Sequence, residues 1–216
     1  MNAEFKRETR RIMLSLSFHE DHSVRYETLP IVTIGDPRLE QIARNVSQGD
    51  AGLTREIGQM HATLDEFRRN HGYGRAIAAP QVGIGKRLIA MNLGAGQLAV
   101  LNPEITWRSD DLFEVWDDCL SIPDRIVRVR RHQSISIRYW DEEWRERTCE
   151  RLPMDLSELV QHEMDHLDGI LILARAWGED AIRPIQDHAK LIAASRTKNS
   201  VSLAQFQRSG ESVDLT

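Results

Sequence analysis

The stretch LSELVQHEMDHLDG, residues 156–169, decides how the rest of this chain is read. Residues four apart share one face of an α-helix, so His162 and His166 point the same way, with Glu163 about 100° round from the first. Two imidazoles and a carboxylate so disposed have the geometry of metal ligation. Leu156, Leu159, Val160, Met164 and Leu167 add a broad apolar stripe, which predicts a buried helix. Asp155 and Glu158 stand in capping-box spacing at its start, and Gly169 can take the left-handed position past its end.

Upstream, short segments read as strands: QLAVLN, EITWRS, DLFEVW, IVRVR, QSISIRYW and WRERTCERL. Residues 133–139 alternate apolar and polar, and the acidic turn at 141–143 predicts a hairpin onto the next strand. GRAIAAPQVGIGKRLIAMN reads as a small-residue loop feeding a strand at 88–91, with room for close backbone approach. It is not a P-loop, because GIGK lacks the first glycine at the right spacing and a Ser or Thr after Lys86. Before it, Leu53, Ile57, Met60, Leu64 and Phe67 recur at helical spacing, and the helix stops at the glycines of HGYG; its His61 reads as a surface or packing residue.

Strands in a run, flanked by helices, indicate an α+β fold with short antiparallel strands around a central HExxH helix, not a βαβ repeat. The expected organisation is an N-terminal extension over 1–28, containing a short helix through Phe5, Ile12, Met13 and Leu16, then a catalytic domain over 29–178 that opens on LPIVTIGDPRL with a turn at Gly35, Asp36 and Pro37. A third helix over 179–195, carrying Ile182, Ile185, His188, Leu191 and Ile192, precedes a polar tail to residue 216.

With 216 residues, 41% hydrophobic and 28% charged, one globular domain with a real core is expected. A net charge of −5 argues against a DNA-binding surface. Two cysteines are too few for a disulfide scaffold and suit a reducing, cytoplasmic setting. No run of about 18 apolar residues is present to span a membrane. Lys6, Arg7, Arg10 and Arg11 cluster as in a transit peptide, but Glu4, Glu8, Glu20 and Asp21 count against one.

Catalytic zinc-type sites take three protein ligands and keep a position for water. The third ligand could be His132, a carboxylate or a cysteine. Cys119, in DDCLSIP between an apparent strand and a turn, is well placed for a fixed thiolate; the competing reading is a small buried hydrophobe.

In three segments the chain resembles the peptide deformylases: GRAIAAPQ at 74–81, DDCLS at 117–121 and QHEMDHLDG at 161–169, in family order and at family-like separations. The resemblance covers roughly residues 29–176. It implies one divalent metal per chain, commonly Fe(2+), with Zn(2+), Ni(2+) or Co(2+) tolerated, held by Cys119, His162 and His166. It further implies Glu163 as general acid and base, the Gln81 side-chain amide and the Leu120 backbone amide as oxyanion donors, and an activity that removes the N-formyl group from the N-terminal methionine of newly made polypeptides, with transient ribosome contact. An ion pair of Arg131 with Asp165 and a bond from Asp117 to a ligand histidine would support the site.

Departures from the family pattern cluster where substrate should lie, at Gly74, Arg75, Ala76, Asp118 and Glu158. Ala76 replaces a glycine, Arg75 an apolar residue, Asp117-Asp118 a Glu-Gly pair, and Glu158 puts a carboxylate one turn before His162 on the wall of an otherwise apolar side-chain pocket. Ala76 would also bring strain if positive φ were needed there. The alternatives are a deformylase-like amidohydrolase acting on another N-formyl or N-acyl compound, or a catalytically weak binding paralogue. An HExxH metallopeptidase is disfavoured by Cys119, since such sites take a carboxylate or a third histidine.

Overall fold

Period-2 alternation builds the central layer of the protein, seen in a computed structural model that describes residues 25–94, 96–187 and 191. Five strands, β1 (Ala76–Ala78), β2 (Leu88–Asn92), β3 (Gln97–Arg108), β6 (Ile135–Trp140) and β7 (Glu146–Cys149), form an antiparallel sheet in the order β1-β2-β3-β6-β7. One face sends Ile77, Leu88, Ala90, Ala99 and Leu101 toward helix α1 (Leu53–His71), where they meet Ile57, Met60, Leu64 and Phe67. The other sends Ala76, Ala78, Ile89, Met91, Val100, Ile135 and Ile137 toward helix α2 (Met154–Leu167). A second sheet, β4 (Leu112–Asp118), β5 (Arg125–His132) and β8 (Ile182–Pro184), packs Val115, Val127 and Val129 around Cys119, Ile122 and Ile172.

The acidic turn makes the expected hairpin. The Asp141 carboxylate accepts the amides of Glu143 at 3.1 Å and Arg145 at 2.9 Å, and β6 pairs with β7 through Ile137 opposite Cys149. Helix α1 stops where glycine permits it: Gly72 is left-handed at φ 80° and its amide closes on the Arg68 carbonyl at 2.8 Å. Gly169 does the same after α2 at φ 70°, and a Cβ there would stand 2.6 Å from the Glu40 carbonyl oxygen.

Four local expectations change. GRAIAAPQ is strand β1 followed by a 3-10 turn over Ala79–Val82, because its small apolar residues are buried and pair with β2. QLAVLN and EITWRS are one strand, β3, whose register against β6 shifts beyond Leu101, where Asn102 takes φ 48° and exchanges two hydrogen bonds with Val46, at 2.7 and 2.8 Å. The start of α2 is Pro153 with no side-chain cap, so the Asp155–Glu158 capping box is not formed; Glu158 turns to Arg75 instead.

Residues 179–184 are not helical, Ile185–Asp187 form a 3-10 turn, and Leu191 is helical. Asp180 at φ 53° interrupts the chain and β8 completes the open edge of β5, with Ile182 opposite Val127. The rest of the expected C-terminal helix, Leu191 excepted, and the whole N-terminal helix lie outside the described residues. Among the described residues no helix is long and apolar enough to cross a membrane.

His61 is only 5% exposed on the buried face of α1, and neither ring nitrogen finds a hydrogen-bond partner among the described residues. Burial lowers its pKa from 6.5 to about 4, slightly opposed by Asp65. The unfolded chain therefore takes up a proton near pH 6.5 that the folded chain refuses until about pH 4, so stability falls as pH drops through that window, by up to about 3 kcal/mol. Urea unfolding of His61→Leu at pH 7 and 4.5 should show a loss about 2 kcal/mol smaller than the parent's.

Candidate active site

Helix α2 is walled by β1 on one side and β5 on the other, so its polar residues must find partners inside the protein. Gln161 is one: its amide oxygen accepts from the His132 amide and its NH2 donates to the His132 carbonyl, both at 3.0 Å. His132 is thereby a docking point of β5, its Nδ1 engaged by the Ser109 carbonyl at 2.6 Å, and it is not part of the ligand cluster.

That cluster is Cys119, His162 and His166. Their ligand atoms all lie within 4.8 Å of one another, and all three residues are buried. Cys119 Sγ is 3.3 Å from His166 Nε2, on the turn that ends β4, where the Ile122 amide closes on the Cys119 carbonyl at 3.0 Å. His162 Nδ1 meets Asp117 Oδ2 at 2.9 Å, which leaves Nε2 for the cluster. One soft sulfur and two imidazoles suit a zinc- or iron-type divalent ion, and three ligands leave a fourth position. The residues present fit such an ion.

Glu163, one residue on, is buried, and its Oε2 has no hydrogen-bond partner among the described residues. Burial raises its carboxyl to about pKa 7, against the opposing pull of His162 and Arg75. At His162 burial works against the charged ring, but Asp117 outweighs it and the pKa ends well above the ordinary value. His166 is pushed well below by burial and by His162.

Opposite the cluster stands Gln81, in the 3-10 turn after β1. Its carbonyl oxygen accepts the Ala78 amide at 2.9 Å, so its NH2 points inward, 3.3 Å from Ser121 Oγ and 3.7 Å from Cys119 Sγ. Leu120 shares the adjoining cavity of about 20 Å³ with Gly74, Arg75, Ala76, Asp117, Asp118, Leu159, His162 and Glu163. Gly74 is at φ 113°, and a Cβ there would touch Phe67 at 3.4 Å and Leu64 at 3.5 Å. Ala76 is not among the residues with left-handed backbone; its methyl joins the core below α2 and brings no strain. Glu158 and Arg75 form an ion pair of 2.7 Å.

The expected Arg131–Asp165 pair is present at 2.5 Å and is the middle of a longer series. Arg131 also reaches Asp117 at 3.3 Å, and Arg175 binds Asp165 at 2.7 Å. Sequence reading missed Arg175 and Ser121. Ser121 was signalled by its place two residues after Cys119; Arg175, in a 3-10 turn beyond the helix, carried no local signal.

This α+β fold, with a buried Cys–His–His cluster and a helix-borne glutamate, defines the class of metal-dependent hydrolases built on an HExxH helix. The sequence model of the polypeptide deformylase family matches residues 28–181. A peptide deformylase of Thermotoga neapolitana is 38% identical over 143 residues, 65% of this chain and 82% of that protein. A peptide deformylase of Synechococcus elongatus in complex with actinonin superposes with a TM-score of 0.65 at 34% identity, over 72% of this chain and 85% of its own. A class I type b enzyme of Acinetobacter baumannii with Met-Ala-Ser bound gives 0.62 at 32% identity, over 70% of this chain and 99% of its own. The chain belongs to the peptide deformylase family.

Removing Arg131 leaves Asp117 and Asp165 buried without their shared cation, so Arg131→Met should lower stability by about 3 to 5 kcal/mol. Arg175, whose side chain is 44% exposed, should matter far less, with Arg175→Met costing about 1 kcal/mol or under. Chemical denaturation of the two variants measures the contrast.

Proposed function

We propose that this chain removes the N-formyl group from the N-terminal methionine of newly made polypeptides. The observation that carries the reading is Glu163 Oε2, buried and unpartnered among the described residues beside a three-residue ligand cluster. Cys119, His162 and His166 would hold the metal, for which we assign Fe(2+), with Zn(2+), Ni(2+) and Co(2+) suited to the same donors. When bound, the ion supplies Lewis acidity and makes a water nucleophilic at neutral pH.

The remaining steps belong to the protein. Glu163 accepts the proton of the attacking water at Oε2 and returns it to the departing amine nitrogen, a carboxylate poised near neutrality being suited to both duties. Gln81 Nε2 and the Leu120 amide donate to the oxygen of the formyl group as it gains charge, each worth about 3 kcal/mol in the transition state. Asp117 fixes the ring of His162, and Arg131 and Asp165 fix Asp117 in turn. We assign catalysis to the unit 29–178, a cytoplasmic setting consistent with two buried cysteines that form no disulfide, and transient contact with the ribosome.

A second reading, hydrolysis of another N-formyl or N-acyl compound, is favoured by the Arg75–Glu158 pair on the cavity wall. Iron-loaded protein, prepared without oxygen, should deformylate formyl-Met-Ala-Ser measurably, and Glu163→Ala should reduce kcat by at least about a thousandfold with metal content unchanged. A parent protein holding one metal per chain that leaves formyl-Met-Ala-Ser intact would move the assignment to the second reading. Asp117→Ala should weaken metal affinity about 10- to 100-fold in a chelator competition.

A further inference from the structure

We propose that Asp118 gives this chain a preference among formylmethionyl peptides, favouring lysine or arginine directly after the methionine and disfavouring an acidic residue there. This rests on the deformylase reading of the site. Strand β1 stands at one end of the five-stranded sheet and β4 at one end of the three-stranded sheet, each with a neighbour on one side only. The cavity beside Glu163 lies between them, with Gly74, Arg75 and Ala76 on one wall and Asp117 and Asp118 on the other. Two strand edges so placed accept an extended peptide. Successive side chains of such a peptide leave on opposite sides. With the formamide beside Glu163 and the methionine side chain turned inward toward Leu120 and Leu159, the next side chain points to the outer side of the cleft.

Asp118 is on that side. Burial alternates along the end of β4, with Val115 and Asp117 buried and Trp116 and Asp118 half-buried. Asp117 turns inward, to His162 Nδ1 at 2.9 Å and to Arg131 at 3.3 Å, so Asp118 leaves on the outer face. Its charge reaches groups at both ends of the cleft. Burial raises the Tyr73 hydroxyl, which donates to the Pro123 carbonyl at 3.4 Å, to about 12, and Asp118 and Cys119 add to the rise. Asp118 also adds, behind burial and Asp117, to the rise at Glu163. It therefore stands between Tyr73 and the catalytic carboxylate, beside the path of the residue that follows methionine. The other charges of the wall are offset inside the protein, Arg75 by Glu158 at 2.7 Å and Asp117 by Arg131. In a cleft partly shielded from water, an ammonium or guanidinium placed there is attracted, a carboxylate is repelled and a methyl group is indifferent. The methionine side chain lies on the opposite side of the peptide and is not part of this discrimination.

The test compares kcat/KM for the C-terminal amides of formyl-Met-Lys-Ser, formyl-Met-Ala-Ser and formyl-Met-Glu-Ser, using the iron-loaded full chain, Asp118→Asn and the charge-keeping Asp118→Glu. The parent should rank them lysyl, alanyl, glutamyl, with about tenfold or more between the first and the last, seen mainly in KM. Asp118→Asn should bring the three to within about twofold of one another, whatever its absolute rate, and Asp118→Glu should restore the order. Raising salt from about 0.05 M to about 0.5 M should shrink the parent's ratio, as it does for a partly exposed charge. Should Asp118→Asn fail to fold, the parent's order and its salt dependence still decide. A parent that turns over the three peptides equally, or a folded Asp118→Asn with the parent's ratio, overturns the inference and leaves the deformylase reading standing. No turnover of any of the three by metal-loaded parent overturns that reading and this inference with it.

Discussion

Burial of helix α2 on every side is the constraint from which the rest of the structure follows. All residues from Leu156 to Leu167 are buried, among them two histidines, two glutamates, an aspartate and a glutamine. Charge at that density is stable inside a protein only when each group meets a fitted partner. The partners come from elements distant in the chain: Asp117 from the end of β4, Arg131 from β5, Arg75 from the loop before β1. The alternating series His162, Asp117, Arg131, Asp165, Arg175 is what allows the second sheet to close over the helix at all.

The same constraint orients the chemistry. His162 is aimed because its Nδ1 is occupied by Asp117, and Gln81 presents its NH2 because its oxygen is taken by the Ala78 amide. Cys119 is fixed by the turn that ends β4. Glu163 is left with an oxygen unsatisfied among the described residues, and burial holds its pKa near neutrality. That condition is what the proposed role of Glu163 as general acid and base rests on.

The Arg75–Glu158 pair shows how one residue acquires meaning through another. Arg75 alone would be a surface arginine near a cleft, and Glu158 alone an unfavourable buried carboxylate. Paired across 83 positions of sequence, each satisfies the other's charge. By contrast Ala76, which looked consequential in a glycine-rich motif, turns its methyl into the core at ordinary backbone angles.

By itself the sequence determined the helix with His162, Glu163 and His166, since 3.6-residue periodicity is local, and it determined helix α1, the 141–143 hairpin and most strands for the same reason. The Arg131–Asp165 pair and the motif around Cys119 were legible because a family resemblance supplied their context. Tertiary structure alone decided the rest. It merged two predicted segments into β3, made a strand of residues 182–184 because β5 had an open edge, and gave Glu158 to Arg75 where a helix cap was expected. It also singled out Cys119 over His132, by bringing one thiol to the histidines while the other ring was tied to Ser109. These outcomes depend on pairings between residues far apart in the chain, and desolvation sets their energies, which no local pattern encodes.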